Sequence, residues 1–548
     1  MSIHWPIIKR LIRSPRRVVM IDDRRSYRAF EVLVGAMHVA DVIRARCQTR
    51  TVGLLIPTSG AFPMAALAGW MAGKTVVPIN YLLKPEEMNY IVRDCGCDTV
   101  ITAQAMLDFL GSNVDACVFA PEGGGGGPPT AMKNLVRLED IDFKGVPGFE
   151  WPSGAADDDL AVLLYTSGTS GKPKGVMLSH GNIEANIAQI RAWVRLEPGE
   201  GGDVVFGVLP QFHTFGLTVL SLLPLTAGLR AVYTARFVPA RIMKLIREHR
   251  PTMMVAIPSM YNALLHAKDA APEDFYSLRY IVSGGEPLPR AVFDAFREKF
   301  GVTIAEGYGL TETSPVTNWC RPEEWRLGTV GRALPGIDQR IVEIAEVPSA
   351  ECRVPGGGGV SSAKCRVPSW REAPVGHEGE IRMRGPNVMR GYFHLPEETA
   401  RAFDERGYFR TGDIGRVDED GFLYITGRLK EMLIIGGENV FPREIEEVLN
   451  AHPSVKESGV VGKPDPMRGE VPVAFVELAE GAGDGPQGTG VEKALRSWCR
   501  TRLAGYKVPD EFRVVGALPR NPTGKVVRRE LNKMLAAAEP RASDGSGV

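Results

Sequence analysis

No two cysteines in this chain stand in a C-x-x-C pair, and the eight present, at 47, 95, 97, 117, 320, 352, 365 and 499, are scattered over 548 residues. That spacing excludes a zinc cage and a disulfide framework, and it fits a reducing, cytoplasmic setting. Cys95 and Cys97 flank one glycine and read as buried thiols. An excess of one charge is also missing: Lys+Arg and Asp+Glu both number 65, for a formal net charge of zero. No global field recruits nucleic acid, so a nucleic-acid binder is disfavoured and any anion site must be built locally. Nor is there a run long enough to span a membrane. The most apolar stretch, FGLTVLSLLPLTAGL from Phe215 to Leu229, is short and carries a proline, so it reads as buried core. The N-terminal IHWPIIKRLIRSPRR lacks the apolar region of a signal peptide. It reads as a lead-in helix on the first domain, with peripheral membrane contact through its basic face as the limit.

Composition is that of an ordinary globular protein, 44% hydrophobic and 24% charged, and the length calls for two or more domains. From about Ser26 to Val118, strand-like runs such as TVGLLIP, TVVPIN and DTVIT alternate with helical segments such as PEEMNYIVRDC. VVFGVLP, RAVYT, MMVAIP and YIVSGG make a second round. The expected class is α/β: a large N-terminal domain of layered α/β sheets, residues 1–427, with largely parallel strands. After Gly427 the pattern becomes helix, strand, strand, helix, a small α+β domain over 431–538, followed by a disordered tail at 539–548. Two stretches read as surface inserts: GGGGGPP from Gly123, and 345–376, where AECRVP and AKCRVP repeat around four glycines. The alternative for the second insert is a redox-sensitive pair, Cys352 with Cys365.

The most informative segment is YTSGTSGKPKGVMLSH, Tyr165 to His180, which follows the apolar run LAVLLY and precedes a helix with Ile183, Ile187 and Ile190 on one face. Gly168, Gly171 and Gly175 allow close backbone approach. Thr166, Ser167, Thr169 and Ser170 add hydroxyls, and Lys172 and Lys174 add charge. A loop so dense in short-range donors suits a polyphosphate. It is not a Walker loop, because G-x-x-x-x-G-K-[ST] does not align on it.

This segment resembles the phosphate-binding signature of the adenylate-forming (AMP-binding) superfamily of acyl-CoA synthetases, peptide-synthetase adenylation domains and luciferases. The resemblance continues in order through SGGEPLP (283–289), EGYGLTETSP (306–315), GYFRTGD (407–413), GRLKEMLIIGGENVFPREIE (427–446) and PRNPTGKVVRREL (519–531). It implies a mobile C-terminal domain swinging about a hinge at 428–430, with Lys430 as pivot. It implies an ATP-binding set of Thr166, Ser167, Gly168, Thr169, Ser170, Gly171, Lys174, Gly285, Glu306, Gly307, Tyr308, Thr311, Asp413 and Arg428. Within that set Tyr308 offers a face to adenine, Asp413 accepts from ribose hydroxyls, and Arg428 holds ribose or phosphate oxygens. Glu312, with Thr166 nearby, would bind Mg2+, a hard cation that takes oxygen ligands. Lys525 would reach the α-phosphate and the attacking carboxylate together, offsetting their repulsion and stabilising the transition state. Gly436, Gly437 and Glu438 resemble the stretch that lines the path of coenzyme A.

Amino-acid-activating relatives place an aspartate after the fourth strand to pair with the substrate ammonium; LPQFHTFGL (209–217) has no carboxylate here, and a buried ammonium without a partner is costly. His213, between Phe212 and Phe215, resembles the aromatic gate of acyl- and aryl-CoA synthetases. The resemblance is greatest to medium- and long-chain fatty acyl-CoA synthetases, with ATP, Mg2+ and coenzyme A and a small carboxylic acid as substrate. An acyl carrier protein presents the same thiol as CoA, and a fatty acyl-AMP ligase is a further alternative. A non-catalytic ATP or acyl-AMP sensor could have dropped Glu312 and Lys525, and both are present.

Overall fold

A computed structural model describes residues 2–111, 134–166, 172–347, 365–435, 438–465, 467–479, 489–520 and 526–537. The chain divides into two compact units, one of Met1–Pro287, Phe296–Gln339 and Arg382–Thr411, the other of Leu288–Ala295, Arg340–Ile381 and Gly412–Val548.

The first unit holds two sheets. The seven-stranded one runs in the order Gly391–Tyr392, Lys174–Ser179, Leu160–Thr166, Thr75–Pro78, Thr51–Leu55, Thr99–Thr102, Asn134–Arg137. Its central strands pair in parallel, and Thr51–Leu55 and Thr99–Thr102 are buried throughout. Parallel strands covered on both faces read as continuous apolar runs, which is why TVGLLIP and DTVIT were legible. In the nine-stranded sheet Val204–Gly207, Met253–Ala256, Tyr280–Ser283 and Ala305–Gly309 lie side by side, again parallel. The intervening helix Pro239–His249 buries Ile242, Met243, Leu245 and Ile246, one apolar stripe. The lead-in helix His4–Arg13 buries His4, Ile7, Ile8 and Leu11, the i, i+3, i+4, i+7 face. The apolar stretch after Phe215 is core as expected: Leu217, Leu220, Leu222 and Leu223 are fully buried, in a helix interrupted by a π-helical turn at Thr218–Leu222.

One strand was not anticipated. The sequence reading carried the glycine-rich loop straight to the helix at His180, whereas the structure inserts Lys174–Ser179, antiparallel to Leu160–Thr166. The short apolar alternation of Val176 and Leu178 was obscured by Lys174 and Gly175 before it. The helix His180–Trp193 buries Ile183, Ile187 and Ile190, as the pattern predicts.

The second unit holds a five-stranded sheet in the order Cys365–Glu372, Asp338–Val347, Gly379–Arg384, Phe409–Val417, Leu423–Arg428. Val347 pairs with Cys365, so within the segment read as a surface insert, 345–376, residues 345–347 and 365–372 belong to paired antiparallel strands, and 348–364 lies outside the described residues. Cys352, the glycine run at 123–127 and the tail at 539–548 lie outside the described residues. A second sheet joins Glu438–Val440, Leu433–Ile435, Gly469–Leu478, Val455–Asp465 and Glu511–Val515, packed on the helices Pro442–Asn450 and Thr489–Arg500 through Ile445, Leu449, Ala474, Val476 and Leu495. The chain is thus α/β with a large N-terminal body and a smaller C-terminal one. Cys47, Cys95, Cys97, Cys320 and Cys499 are free and buried. Among the described residues no helix is long and apolar enough to cross a membrane.

The N-terminal helix docks through two histidines. The His4 and His180 rings lie 6.2 Å apart, edge to face, and the Ile3 N–H donates to His180 Nδ1 at 3.3 Å. Burial holds both imidazoles down to about 4. An unfolded histidine takes its proton near pH 6.5, so protons favour the unfolded chain; the stability is whole above that pH and is lost as pH falls toward 4. Thermal unfolding followed from pH 7 to pH 5 should show a falling Tm, with a smaller fall in His4→Phe. An equal fall in both proteins contradicts this origin.

Candidate active site

The site in the first unit is built on the hairpin of Leu160–Thr166 and Lys174–Ser179. Its register pairs Tyr165 with Gly175 and Thr166 with Lys174, so the two ends of the glycine-rich loop leave adjacent backbones. Gly175 allows this approach: a Cβ there would sit 3.1 Å from the Tyr165 ring. Ser167, Gly168, Thr169, Ser170 and Gly171 lie outside the described residues.

Lys174 is half-buried, its ammonium 2.6 Å from Glu398 Oε2 and 5.2 Å from the centre of the Tyr392 ring. The Lys174 ammonium holds the Glu398 carboxyl below the usual range. The Tyr392 hydroxyl donates to Glu312 Oε1 at 2.9 Å. Burial, then the Glu312 anion, pushes the Tyr392 phenol well up. Tyr392 thereby links the lysine at the end of the loop to the carboxylate expected to bind metal.

Glu312 sits in the 3-10 turn Thr311–Thr313, just after the strand Ala305–Gly309 that carries Glu306, Gly307 and Tyr308. The turn is fixed by backbone: Met389 N–H donates to the Glu312 carbonyl at 2.8 Å, and Asn387 Nδ2 to that of Thr313 at 2.8 Å. A Cβ on Gly309 would collide with the Pro315 carbonyl, so only glycine fits this return. Ser283 pairs with Glu306, and the chain then passes Gly285, at φ +82°. Gly285, Glu306, Gly307, Tyr308 and Thr311 are therefore gathered at the carboxyl ends of parallel strands, where ligands bind in open α/β sheets.

His213 caps the short helix Thr214–Leu217, its ring 4.5 Å from Phe212, which lies 4.7 Å from Tyr81. Gln211 holds this segment: it accepts from Ser59 N–H at 2.9 Å and donates to Ser221 at 3.0 Å.

In the second unit, Asp413 and Arg428 face each other on paired strands, Arg428 Nε 2.8 Å from Asp413 Oδ1, with Asp413 buried. Lys430 occupies the 3-10 turn Leu429–Glu431; burial, then the Arg428 cation, lowers its ammonium. Glu438 is exposed on Glu438–Val440. Gly436, Gly437 and Lys525 lie outside the described residues.

Among the described residues no cluster of three or more His, Cys, Asp or Glu side chains could cage a metal. Mg2+ in nucleotide sites commonly uses one or two carboxylates plus phosphate oxygens. Glu312, a carboxylate oriented by the Tyr392 hydroxyl, fits that donor set.

The sequence reading missed Tyr392, Glu398 and Gln211. A signal for one of them was present in GYFHLPEET: Pro396 with Glu397 and Glu398 marks a helix start that carries Glu398 in its first turn. Tyr392→Phe removes one hydrogen bond to a charged group, about 1.5 kcal/mol. If Glu312 serves the adenylation step, the rate of that step falls about tenfold with the Tm nearly unchanged. Pyrophosphate release measures it, and an unchanged rate contradicts the role of the hydroxyl.

Residues 9–393 match the family described as AMP-binding enzyme, and residues 444–525 match the AMP-binding enzyme C-terminal domain. The chain is 38% identical over 381 residues to the long-chain-fatty-acid–CoA ligase of Bacillus subtilis (strain 168), covering 68% of this chain and 62% of that one. It is 34% identical over 493 residues to the sulfoacetate–CoA ligase of Cupriavidus necator, covering 88% and 87%. The crystal structure of ATP-bound MatB from Rhodopseudomonas palustris superposes with a TM-score of 0.82 at 29% identity, covering 97% of this chain and 99% of that one. The chain belongs to the AMP-binding enzyme family and is an AMP-forming acid–thiol ligase of that family.

Proposed function

We propose that the chain activates a fatty acid as its acyl-adenylate and transfers the acyl group to coenzyme A. The substrate carboxylate attacks the α-phosphorus of ATP, pyrophosphate leaves, and the CoA thiol then displaces AMP. The observation that carries the reading is the convergence of Thr166, Lys174, Tyr392 and Glu312 at the mouth of the glycine-rich loop. Thr166 and Glu312 would hold Mg2+, which supplies charge neutralisation on the phosphates. Lys174, with the loop residues 167–171, binds the triphosphate. Asp413 and Arg428 hold the ribose, and Tyr308 the adenine. Lys525 stabilises the charge developing at the α-phosphate, and the hinge at 428–430, pivoting on Lys430, exchanges it for the 436–438 stretch when CoA enters.

The substrate class rests on charge. The gate segment from Leu209 to Phe215 has no Lys, Arg, Asp or Glu. A second ionised group on the acid would be buried there without a partner, at a cost of several kcal/mol. An uncharged alkyl tail meets no such cost, and the gate residues His213 and Phe212 are flanked by apolar side chains. An acyl carrier protein offers the same pantetheine thiol as CoA and is the alternative acceptor. The reaction is assigned to the cytoplasm, with the basic face of His4–Arg13 as the place of any peripheral membrane contact.

Pyrophosphate release across fatty acids, hydroxycinnamic acids and sulfoacetate tests the substrate class. Fatty acids should give the highest kcat/KM; a preference for either other class overturns that part of the reading. Lys525→Ala should abolish adenylation while largely sparing thioester formation from supplied acyl-AMP. Equal loss in both assays contradicts the two-conformation account. Gly437→Trp should impair thioester formation more than adenylation, and unchanged CoA transfer counts against the path along 436–438.

A further inference from the structure

The helix Pro85–Asp94 lies outside every motif of the adenylation site, yet it touches residues that flank the glycine-rich loop. The Tyr165 hydroxyl, on the residue before Thr166, donates to Asp94 Oδ2 at 2.6 Å. Lys172, the first described residue after the loop, sits with its ammonium 5.9 Å from the centre of the Tyr90 ring. The helix thus holds the residue that leads into the loop through Asp94, and it sets the Tyr90 ring beside Lys172.

The helix can bear this load because it is anchored from below. Met88, Ile91 and Val92 are buried in a core cluster with Leu55, Val77 and Leu163, and Tyr90 and Tyr165 pack against the same cluster. Tyr165 is further held edge-on to Gly175. A glycine- and hydroxyl-rich loop has high conformational entropy, and ordering it on a ligand costs affinity unless its ends are already fixed. The Lys172–Tyr90 contact is exposed and weak by itself, whereas a hydrogen bond from a buried phenol to a carboxylate is a strong, directional tie.

We propose that Asp94 is a positioning residue for ATP: through Tyr165 it fixes the strand end from which the phosphate-binding loop departs. The inference rests on the assignment of that loop to the triphosphate. Asp94 touches no substrate; it acts through Tyr165.

Tyr165→Phe removes one hydroxyl and leaves the ring against Gly175. In the full chain, measured by pyrophosphate release at saturating fatty acid, it should raise KM for ATP about tenfold, equivalent to about 1.4 kcal/mol. KM for the acid and the Tm should stay at their wild-type values. Asp94→Asn should do the same, and the double variant should be clearly less than additive, because both changes break one contact. An ATP KM within about twofold of wild type in both Tyr165→Phe and Asp94→Asn overturns the proposal, as does a joint rise of both KM values with a fallen Tm. If the wild type releases no pyrophosphate with any acid, the assigned reaction fails instead. ATP binding by calorimetry then reads the anchor alone: weaker binding in Tyr165→Phe supports it, and equal binding overturns it.

Discussion

Antiparallel pairing of Leu160–Thr166 with Lys174–Ser179 is the constraint on which the rest of the site depends. Side chains alternate along a strand, so a slip of one residue would turn Thr166 and Lys174 to the opposite face. The register is held by Val162, Leu164, Val176 and Leu178 in the core and by the close contact of Tyr165 over Gly175. From that fixed hairpin, Lys174 reaches Glu398 and the Tyr392 ring, and Tyr392 reaches Glu312. A change of that register would break the Thr166–Lys174 pairing and carry the lysine away from Glu398 and the Tyr392 ring.

The charges in this arrangement act more on position than on stability. Lys174 and Glu398 are 17% and 36% exposed, and an ion pair of that kind contributes about 0–1 kcal/mol to folding. Its consequence is direction: the ammonium is kept beside the loop and away from bulk water. The Tyr392–Glu312 bond is more buried and stronger, and it orients a carboxylate in a turn that the backbone already defines. In the second unit the same economy appears, where Asp413 and Arg428 meet across a strand pair and Arg528 joins Glu431 and Glu446 at 2.6 Å. Arg528 thereby ties the residue after Lys430 to the helix Pro442–Asn450.

Much of this was legible in the sequence because the signals were local. Buried parallel strands leave continuous apolar runs, and TVGLLIP, DTVIT and YIVSGG each mark one. The 4, 7, 8, 11 stripe of the first helix and the isoleucines of His180–Trp193 are likewise written in their spacing. The glycine-rich loop stands out by composition, since few structural roles require three glycines, four hydroxyls and two lysines in one turn. What escaped were contacts between distant segments. Tyr392 and Glu398 stand more than two hundred residues from Lys174, and Asp94 about seventy from Tyr165, and nothing in a tyrosine or an aspartate announces its partner. The strand Lys174–Ser179 escaped for a different reason: its opening residues serve the loop, and only its pairing with Leu160–Thr166 makes it a strand. The apolar stretch after Phe215 reads as core from its composition, and it is core: Leu217, Leu220, Leu222 and Leu223 are completely buried.

The central claim is that the hairpin and the Tyr392-held carboxylate together receive a magnesium-bound triphosphate. A crystal structure of the full chain with a non-hydrolysable ATP analogue and Mg2+ tests it most directly. The account predicts phosphate oxygens within hydrogen-bonding distance of the Thr166 hydroxyl and the Lys174 ammonium, with the cation ligated by Glu312. A triphosphate bound elsewhere, or a cation bound without Glu312, would contradict it.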